Sequence, residues 1–387
     1  MNKRTRNIFS HMKNVLFIAP TTYKLPLDDN MRKKFEYLSQ VCNLNVVAFA
    51  NEKREINLEN TNLYFFKKTK SRFYNYFKIL IVSLFSTSEI IKSNNIEIVC
   101  FQDPVSSFFS MLVVKSRHRN VKIIVETHGD FIETLGLEKN LLIPRVYKYI
   151  FMKLSRYTIN NADIIRAVSS STEAQVKEIN KEKDIVRFPA WVDFDDFKDL
   201  DVNRNAEEKF QILFIGSVTD RKKPHLIVEA MKLINQDNIE FLIVGPTPNL
   251  KYLESLKNLI SSYSLDDQVK FFGSVDRKSV KTFYSKVNLM ILPSVSEGLA
   301  RVIFESQATA CPVLVTDAPG MGDIVIEGQT GYIFESNSIE SLASKIKEVE
   351  GNYEEATHIG SNAKDFILSN YSAENFKFSF KKIFDTV

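Results

Sequence analysis

The feature that most constrains the fold is a rhythm: short apolar runs of strand length alternate with helix-length segments, break once, and resume. Residues 14–19, 44–49, 96–101, 122–126 and 163–168 read as strands, with room for a helix between most of them. Such alternation predicts parallel sheet, because each helix returns the chain to the end of the sheet it started from. The rhythm breaks at Phe188-Pro189-Ala190-Trp191-Val192-Asp193, and the polar stretch 199–209 reads as a linker. It restarts with strands at 210–215, 240–244, 268–272, 289–292 and 313–316, and with a helix from Lys222 to Ile234. A length of 387 residues also exceeds what one core usually organises. The fold class expected is α/β: two Rossmann-like doubly wound domains facing a central cleft, where strand C-termini and helix N-termini meet. The expected organisation is a disordered basic leader over 1–11, a first domain over 12–195 and a second over 196–370. The tail, 371–387, is expected to be a helix packing back toward the first domain.

Composition narrows the setting. Cys42, Cys100 and Cys311 are odd in number and each lies in or beside an apolar run, the pattern of reduced, buried thiols in a reducing cytosol. No apolar run reaches the roughly 20 residues that span a bilayer, and the stretch 15–19 is too short for a signal-peptide core. A cytoplasmic location follows as the expectation. Charge is unevenly spread: residues 1–200 hold 31 Lys and Arg against 22 Asp and Glu, net +9, and residues 201–387 hold 20 against 25, net −5. The basic half suits an anionic partner, either a phospholipid leaflet or a diphosphate-linked substrate. Nucleic acid fits less well, since no helix-turn-helix, zinc-finger or RNA-recognition pattern accompanies the charge.

Two segments interleave cations with aromatics. Phe65 to Lys92 carries Lys67, Lys68, Lys70, Arg72 and Lys78 among Phe73, Tyr74, Tyr76 and Phe77. The stretch 139–156 carries Arg145, Lys148, Lys153 and Arg156 among Tyr147, Tyr149 and Phe151. This composition suits a headgroup boundary, and so peripheral binding at the inner face of the cell membrane. The alternative is two helices whose aromatics are core and whose cations are merely solvated.

The most informative segment is Leu292-Pro293-Ser294-Val295-Ser296-Glu297-Gly298-Leu299-Ala300-Arg301-Val302-Ile303-Phe304-Glu305. It leads from a strand into a helix, so Glu297 falls in the turn and Glu305 on the helix. Gly298 permits close backbone approach, and the N–H groups from Gly298 through Leu299 and Ala300 to Arg301 line the positive end of that helix, a place for a diphosphate or sugar oxygens. Carboxylates accept hydrogen bonds only, so the pair suits hydroxyls, one holding a sugar and the other a ribose. The plain alternative makes Glu297 a helix cap and Glu305 a solvated surface residue.

This segment resembles the retaining glycosyltransferases of GT-B fold in family 4, whose signature is a Glu-x7-Glu pair after Pro-Ser, here Glu297 and Glu305. Ala308-Thr309-Ala310-Cys311-Pro312-Val313-Leu314-Val315-Thr316-Asp317-Ala318-Pro319-Gly320 and Gly328-Gln329-Thr330-Gly331-Tyr332 are similar to the family's following segments, with Cys311 where Gly is common. Gly216-Ser217-Val218-Thr219-Asp220-Arg221-Lys222 resembles its strand-end glycine and phosphate-binding lysine. Ser217 replaces a frequent arginine, so Arg221 or Arg301 must supply the second cation. In the first half, Glu126-Thr127-His128-Gly129-Asp130 is similar to the family's strand-end histidine near the transferred sugar, and a neutral His128 could donate to a sugar hydroxyl. Asp103 ends another strand at the presumed cleft, a candidate for the acceptor. The family's glycine-rich acceptor loop is missing, since Pro20-Thr21-Thr22-Tyr23-Lys24 has no glycine.

The resemblance implies transfer of a sugar from a nucleotide diphosphate sugar, UDP-sugar favoured, with retention. The acceptor implied is a glycan or polyprenyl-diphosphate-linked glycan in bacterial surface polysaccharide synthesis. Lys222, Glu297 and His128 would carry the chemistry without metal or other cofactor. Asp193-Phe194-Asp195 matches an Asp-x-Asp metal motif but lies at the domain junction instead of at a strand end in the nucleotide domain. Asp28-Asp29 and Asp266-Asp267 read as helix and turn signals. The rival readings are a GT-B sugar-nucleotide epimerase and a non-catalytic sugar-binding scaffold. A dehydrogenase is disfavoured because neither half has Gly-x-Gly-x-x-Gly after its first strand.

Overall fold

The computed structural model describes residues 12–68, 82, 86–128, 144–204, 209–295, 297 and 300–387. The chain forms two compact units, Met1–Trp191 with Ala373–Val387, and Val192–Ser372.

The first unit runs β1 (Asn14–Tyr23), α1 (Asp29–Ser39), β2 (Asn43–Ala50), β3 (Arg54–Leu58), β4 (Thr61–Lys67), α2 (Ser88–Ser93), β5 (Ile98–Phe101), α3 (Phe108–Arg117), β6 (Lys122–Thr127), α4 (Pro144–Asn161), β7 (Ile164–Ala167), α5 (Ser170–Ile179) and β8 (Ile185–Arg187). Its sheet has the order β3-β4-β2-β1-β5-β6-β7-β8. Every described pairing is parallel except that of β3 with β4. Alternation within β1 shows why the strand is apolar throughout. Val15, Phe17 and Ala19 enter one core and Leu16 and Ile18 the other, because successive side chains of a strand point to opposite faces.

The second unit runs α6 (Asp195–Lys198), β9 (Phe210–Ile215), α7 (His225–Ile234), β10 (Ile239–Val244), α8 (Leu250–Ser262), β11 (Val269–Gly273), α9 (Arg277–Lys286), β12 (Leu289–Leu292), α10 (Arg301–Ala308), β13 (Val313–Thr316), β14 (Tyr332–Phe334), α11 (Ile339–Gly351) and α12 (Tyr353–Asn370). Its sheet is parallel with the order β11-β10-β9-β12-β13-β14. The chain therefore lays strands outward from β9 in one direction, then returns to β9's other side with β12. Such a reversal of strand order is where open α/β sheets commonly bind ligands, at the strand C-termini.

The structure departs from the sequence reading in three places. Strands β3, β8 and β14 lack a strong sequence signal because they are short or, like β3, largely exposed. Phe65, Phe66 and Lys67, read as the start of a cation-aromatic segment, belong to β4, with Phe65 buried. The rest of that segment, 69–81 and 83–85, lies outside the described residues, as do the leader 1–11 and the stretch 129–143. Finally, α7 starts at His225 rather than Lys222, because Lys223 adopts φ 47° and Pro224 occupies the N-cap position. Asp28 caps α1, accepting from the Met31 N–H at 2.8 Å, and Asp266 accepts from Ser261 Oγ at 2.6 Å.

The last helix, α13 (Ala373–Thr386), belongs to the first unit. Phe376, Phe380, Ile383 and Phe384 recur at helical spacing and form one buried stripe. Phe380 meets Phe17 edge-on at 5.9 Å, Phe188 at 5.0 Å and Phe376 at 4.9 Å between ring centroids. Replacing this fully enclosed ring leaves a cavity in the first unit alone. We expect Phe380→Ala to destabilise that unit by about 3–5 kcal/mol, read as an earlier denaturant transition for it with the second unit's transition unmoved.

Candidate active site

Three loops leave the C-terminal ends of β9, β12 and β13, and hydrogen bonds tie them together. Val295 N–H donates to the Arg221 carbonyl at 3.2 Å, Thr316 Oγ1 to the Ser294 carbonyl at 2.8 Å, and Glu297 N–H to the Pro319 carbonyl at 3.4 Å. Gly320 completes the arrangement. A Cβ there would stand 2.0 Å from the Glu297 carbonyl oxygen, and its φ of 92° disfavours any other residue. Gly245, at the end of β10, is equally constrained, since its Cβ would lie 2.1 Å from the Gly216 carbonyl. The backbone approaches needed to bring the strand ends together thus depend on glycine.

Within this frame Lys222 Nζ hydrogen-bonds Glu297 Oε1, and Arg221 Nη1 reaches the same oxygen at 3.3 Å. The Lys222 side chain is 13% exposed and that of Glu297 9%. Both side chains are largely enclosed. Lys222 lies in the turn before α7 and not on the helix, and its Cε is 3.8 Å from where a Cβ of Gly216 would be. Two cations thus converge on one carboxylate, and an incoming anion can compete with it for them. Ser217 follows Gly216 and contributes no charge. Ala300, the buried N-cap residue of α10, uses no side-chain cap. Gly298 and Leu299 lie outside the described residues.

Glu305 sits one turn into α10 and is 9% exposed. Burial raises its pKa, opposed by the charges of Arg301 and Arg277 and by a hydrogen bond from Tyr284. Tyr284 Oη lies 3.4 Å from Glu305 Oε2 and 3.1 Å from the Val302 carbonyl. Arg301, an exposed residue one turn before Glu305, therefore acts on that carboxyl, while Arg221 joins Lys222. Sequence reading missed Tyr284 and Arg277, because both come from α9, which no motif marks. Arg277 is itself held by Asp196 at 3.1 Å and by the Asp193 carbonyl at 3.0 Å. The Asp-x-Asp pair serves local structure. Asp195 N–H donates to Asp193 Oδ1 at 3.3 Å, and Lys198 pairs with Asp195 at 3.4 Å.

In the first unit, neighbouring strands β5, β6 and β7 end with Asp103, His128 and, one strand further along, Arg166. Asp103 Oδ1 accepts from the Ser106 N–H at 2.5 Å. Burial raises its pKa against that hydrogen bond and the nearby His128. His128 Nε2 lies 3.1 Å from Glu126 Oε2, and Glu126 Oε1 takes Arg166 Nη1 at 2.7 Å. With His128 Nε2 facing Glu126, the expected contact with a sugar hydroxyl falls to the other ring nitrogen, Nδ1.

Two consecutive family profiles match this architecture, Glycosyltransferase Family 4 over residues 38–196 and Glycosyl transferases group 1 over residues 195–366. The chain belongs to this glycosyltransferase family. Relatives include an uncharacterised glycosyltransferase of Methanocaldococcus jannaschii, 27% identical over 59% of this chain and 61% of its own length. The N-acetyl-alpha-D-glucosaminyl L-malate synthase of Bacillus anthracis is 25% identical over 68% of each chain. The capsular polysaccharide biosynthesis glycosyltransferase CapM of Staphylococcus aureus is 24% identical over 58% of this chain and 61% of its own length. The matches thus span about three fifths to two thirds of these relatives. Among solved structures, sucrose-phosphate synthase from Thermosynechococcus elongatus superposes with TM-score 0.76 at 16% identity, covering 97% of this chain and 99% of that one. Anabaena HepE in complex with UDP does so with TM-score 0.71 at 12% identity, covering 97% and 100%. The family's fold is GT-B, two parallel-sheet Rossmann-like units in one chain.

Glu305 supplies a pH test that needs no substrate. Its pKa is raised in the folded state, so its contribution favours folding below the unfolded carboxylate pKa and is lost as pH rises through the folded value. We expect wild-type stability to fall relative to Glu305→Gln across that interval, measured by denaturant melts at a series of pH values.

Proposed function

We propose that the protein is a retaining glycosyltransferase that moves a sugar from a UDP-sugar to a glycan or polyprenyl-diphosphate-linked glycan of a bacterial surface polysaccharide. The observation that carries this reading is the convergence of Lys222 and Arg221 on Glu297 at the crevice between β9 and β12. The UDP in the HepE complex and the capsular polysaccharide role in CapM's name support the choice of donor and acceptor class. In this reading the donor diphosphate competes with Glu297 for Lys222 and Arg221, and Glu297 is freed to accept from the sugar hydroxyls. Gly216 and Ser217 border the diphosphate, and Ala300 and Arg301 at the start of α10 lie on its other side, with Gly298 and Leu299 outside the described residues. Glu305 accepts from the ribose, and Asp103 and His128 face the acceptor and the transferred sugar.

Catalysis is electrostatic. Negative charge grows on the leaving diphosphate as the glycosidic bond breaks, and Lys222 with the α10 N-terminus stabilises it without a metal ion. The acceptor attacks on the leaving-group face, which retains the anomeric configuration, and no side chain acts as nucleophile. Losing one charge-assisted hydrogen bond of this kind costs about 1.5–3 kcal/mol. We expect Lys222→Ala to reduce transfer about 10- to 150-fold in a folded protein, with wild-type activity surviving EDTA. Unchanged transfer by the variant overturns the donor site, and chelation-sensitive activity restored by Mn²⁺ returns Asp193 and Asp195 to consideration as ligands. A scaffold protein would hydrolyse no donor at all.

The cytoplasmic, membrane-peripheral part of the proposal rests on a different surface. No helix among the described residues is long and apolar enough to cross a membrane. Helices α3 and α4 pack together, Phe108 meeting Tyr157 at 5.0 Å between ring centroids. Their outer sides expose Phe109, Leu112, Val146, Tyr149 and Ile150, with Lys153 over the Tyr149 ring at 4.7 Å. Lys115 and Lys148 lie on the same helices. Apolar side chains ringed by cations match an anionic bilayer, each engaged cation adding about 1 kcal/mol. We expect flotation with phosphatidylserine-containing vesicles at low salt, weakened by high salt and by Tyr149→Ser with Phe109→Ser. Equal, negligible flotation with anionic and neutral vesicles would remove the membrane from the proposal.

A further inference from the structure

Glu126 and Arg166 are the unexpected residues of the first unit. They stand directly opposite one another in the parallel register of β6 and β7, beside Ile123, Ile124, Val125, Ile164 and Ile165. Glu126 is 1% exposed and Arg166 2%. An ion pair buried in an apolar sheet contributes little to stability, since desolvation of both charges offsets their attraction. A purely structural account leaves its presence unexplained, particularly since cross-strand Val or Ile would pack in the same register.

The surroundings show what the pair does hold. The Arg166 guanidinium lies 4.1 Å from the Phe188 ring centroid and 4.8 Å from that of Phe380, and its Nη2 donates to the Pro189 carbonyl at 2.6 Å. With two aromatic rings beside the guanidinium and Nη2 donating to the Pro189 carbonyl, Arg166 is held where its Nη1 meets Glu126 Oε1. The other oxygen, Oε2, faces His128, which lies two residues along the chain and so on the same side of the strand. Burial alone would raise the Glu126 pKa. Arg166 first, then the His128 hydrogen bond and charge, then Lys34 of α1 outweigh it and hold the carboxyl well below the usual carboxylate range. Tyr23 at the end of β1 faces the same carboxylate, whose charge adds to the burial that raises the tyrosine's pKa. Asp103, in the loop after β5, is a further acid near His128 among the described residues.

We propose that Glu126 is the positioning residue of His128: clamped by Arg166, it takes the Nε2–H and leaves Nδ1 as the ring atom available to a ligand. An ionised carboxylate can only accept, so the imidazole must donate through Nε2. Nδ1 then accepts from a sugar hydroxyl when the ring is neutral and donates to one when it is protonated. The ring plane and its tautomer are both set before any substrate arrives, as second-layer carboxylates set them for other functional histidines. The catalytic consequence rests on the transferase reading above, whereas the tautomer does not.

Long-range ¹H–¹⁵N spectra of the whole protein, with the His128 signals identified by their loss in His128→Gln, read the tautomer directly at a pH where the ring is neutral. The expected wild-type result is a protonated Nε2 and a bare Nδ1. A protonated Nδ1 in the wild type would overturn the proposal whatever the activity. The second arm is the double variant Glu126→Met with Arg166→Met, which removes both charges together and avoids leaving one of them buried alone. If the pair positions His128, this variant melts near the wild type, loses the Nε2–H preference and drops kcat at least tenfold with donor KM within twofold. A folded double variant with wild-type kcat would show the pair to be structural only. A wild type with the Nε2–H tautomer but no transfer supports the positioning and sinks only the transferase reading.

Discussion

The second unit depends on the parallel pairing of β9 with β10 on one side and β12 on the other. Because all strands run the same way, their C-terminal loops emerge at one end, and the reversal of strand order at β9 parts them. Lys222 and Glu297 are 75 residues apart in sequence, yet they meet because each follows one of these neighbouring strands at its C-terminal end. The loop hydrogen bonds and the glycines at 245 and 320 then narrow the distance from strand spacing to hydrogen-bond contact.

Electrostatics in the two units follow one logic with opposite outcomes. In the second unit Glu297 is shared by two cations, for which an incoming anion can compete. In the first, Glu126 stays ionised although buried, because Arg166 is fixed against it, and this converts a titratable group into a permanent acceptor. Glu305 differs from both. Burial there outweighs the charges of Arg301 and Arg277 and the Tyr284 hydrogen bond, so its pKa is raised.

The return of α13 to the first unit links the chain's end to that unit's core. Phe380 touches both the apolar core and the Arg166 guanidinium, so the same ring that stabilises the sheet helps to immobilise the ion pair behind His128. Stability and site geometry are therefore not independent in this region, and substitutions in the tail can reach the strand ends without contacting a substrate.

Much of the architecture was legible from sequence because it rests on local physics. The alternation of strand-length and helix-length runs determines parallel α/β organisation, Pro-Ser followed by a Glu-x7-Glu pair marks the loop after β12, and Gly216 with Lys222 marks the loop after β9. Short strands such as β3 and β14 were not legible, since pairing with a neighbour, not composition, makes them strands. Side-chain partnership was equally hidden. Sequence offered Arg221 and Arg301 as equivalent candidates beside Lys222, and the fold sends one to Glu297 and the other to Glu305. It offered His128 as a sugar contact, while the facing register of β6 and β7 brings Arg166 against Glu126, the carboxylate beside the ring. Tyr284, Arg277 and Arg166 belong to no motif, and only long-range packing brings them to the carboxylates they serve. Residue type and spacing determine what each strand end can offer; the neighbour across the sheet, set by hydrogen-bond register and strand order, decides which charge it meets and how far from water.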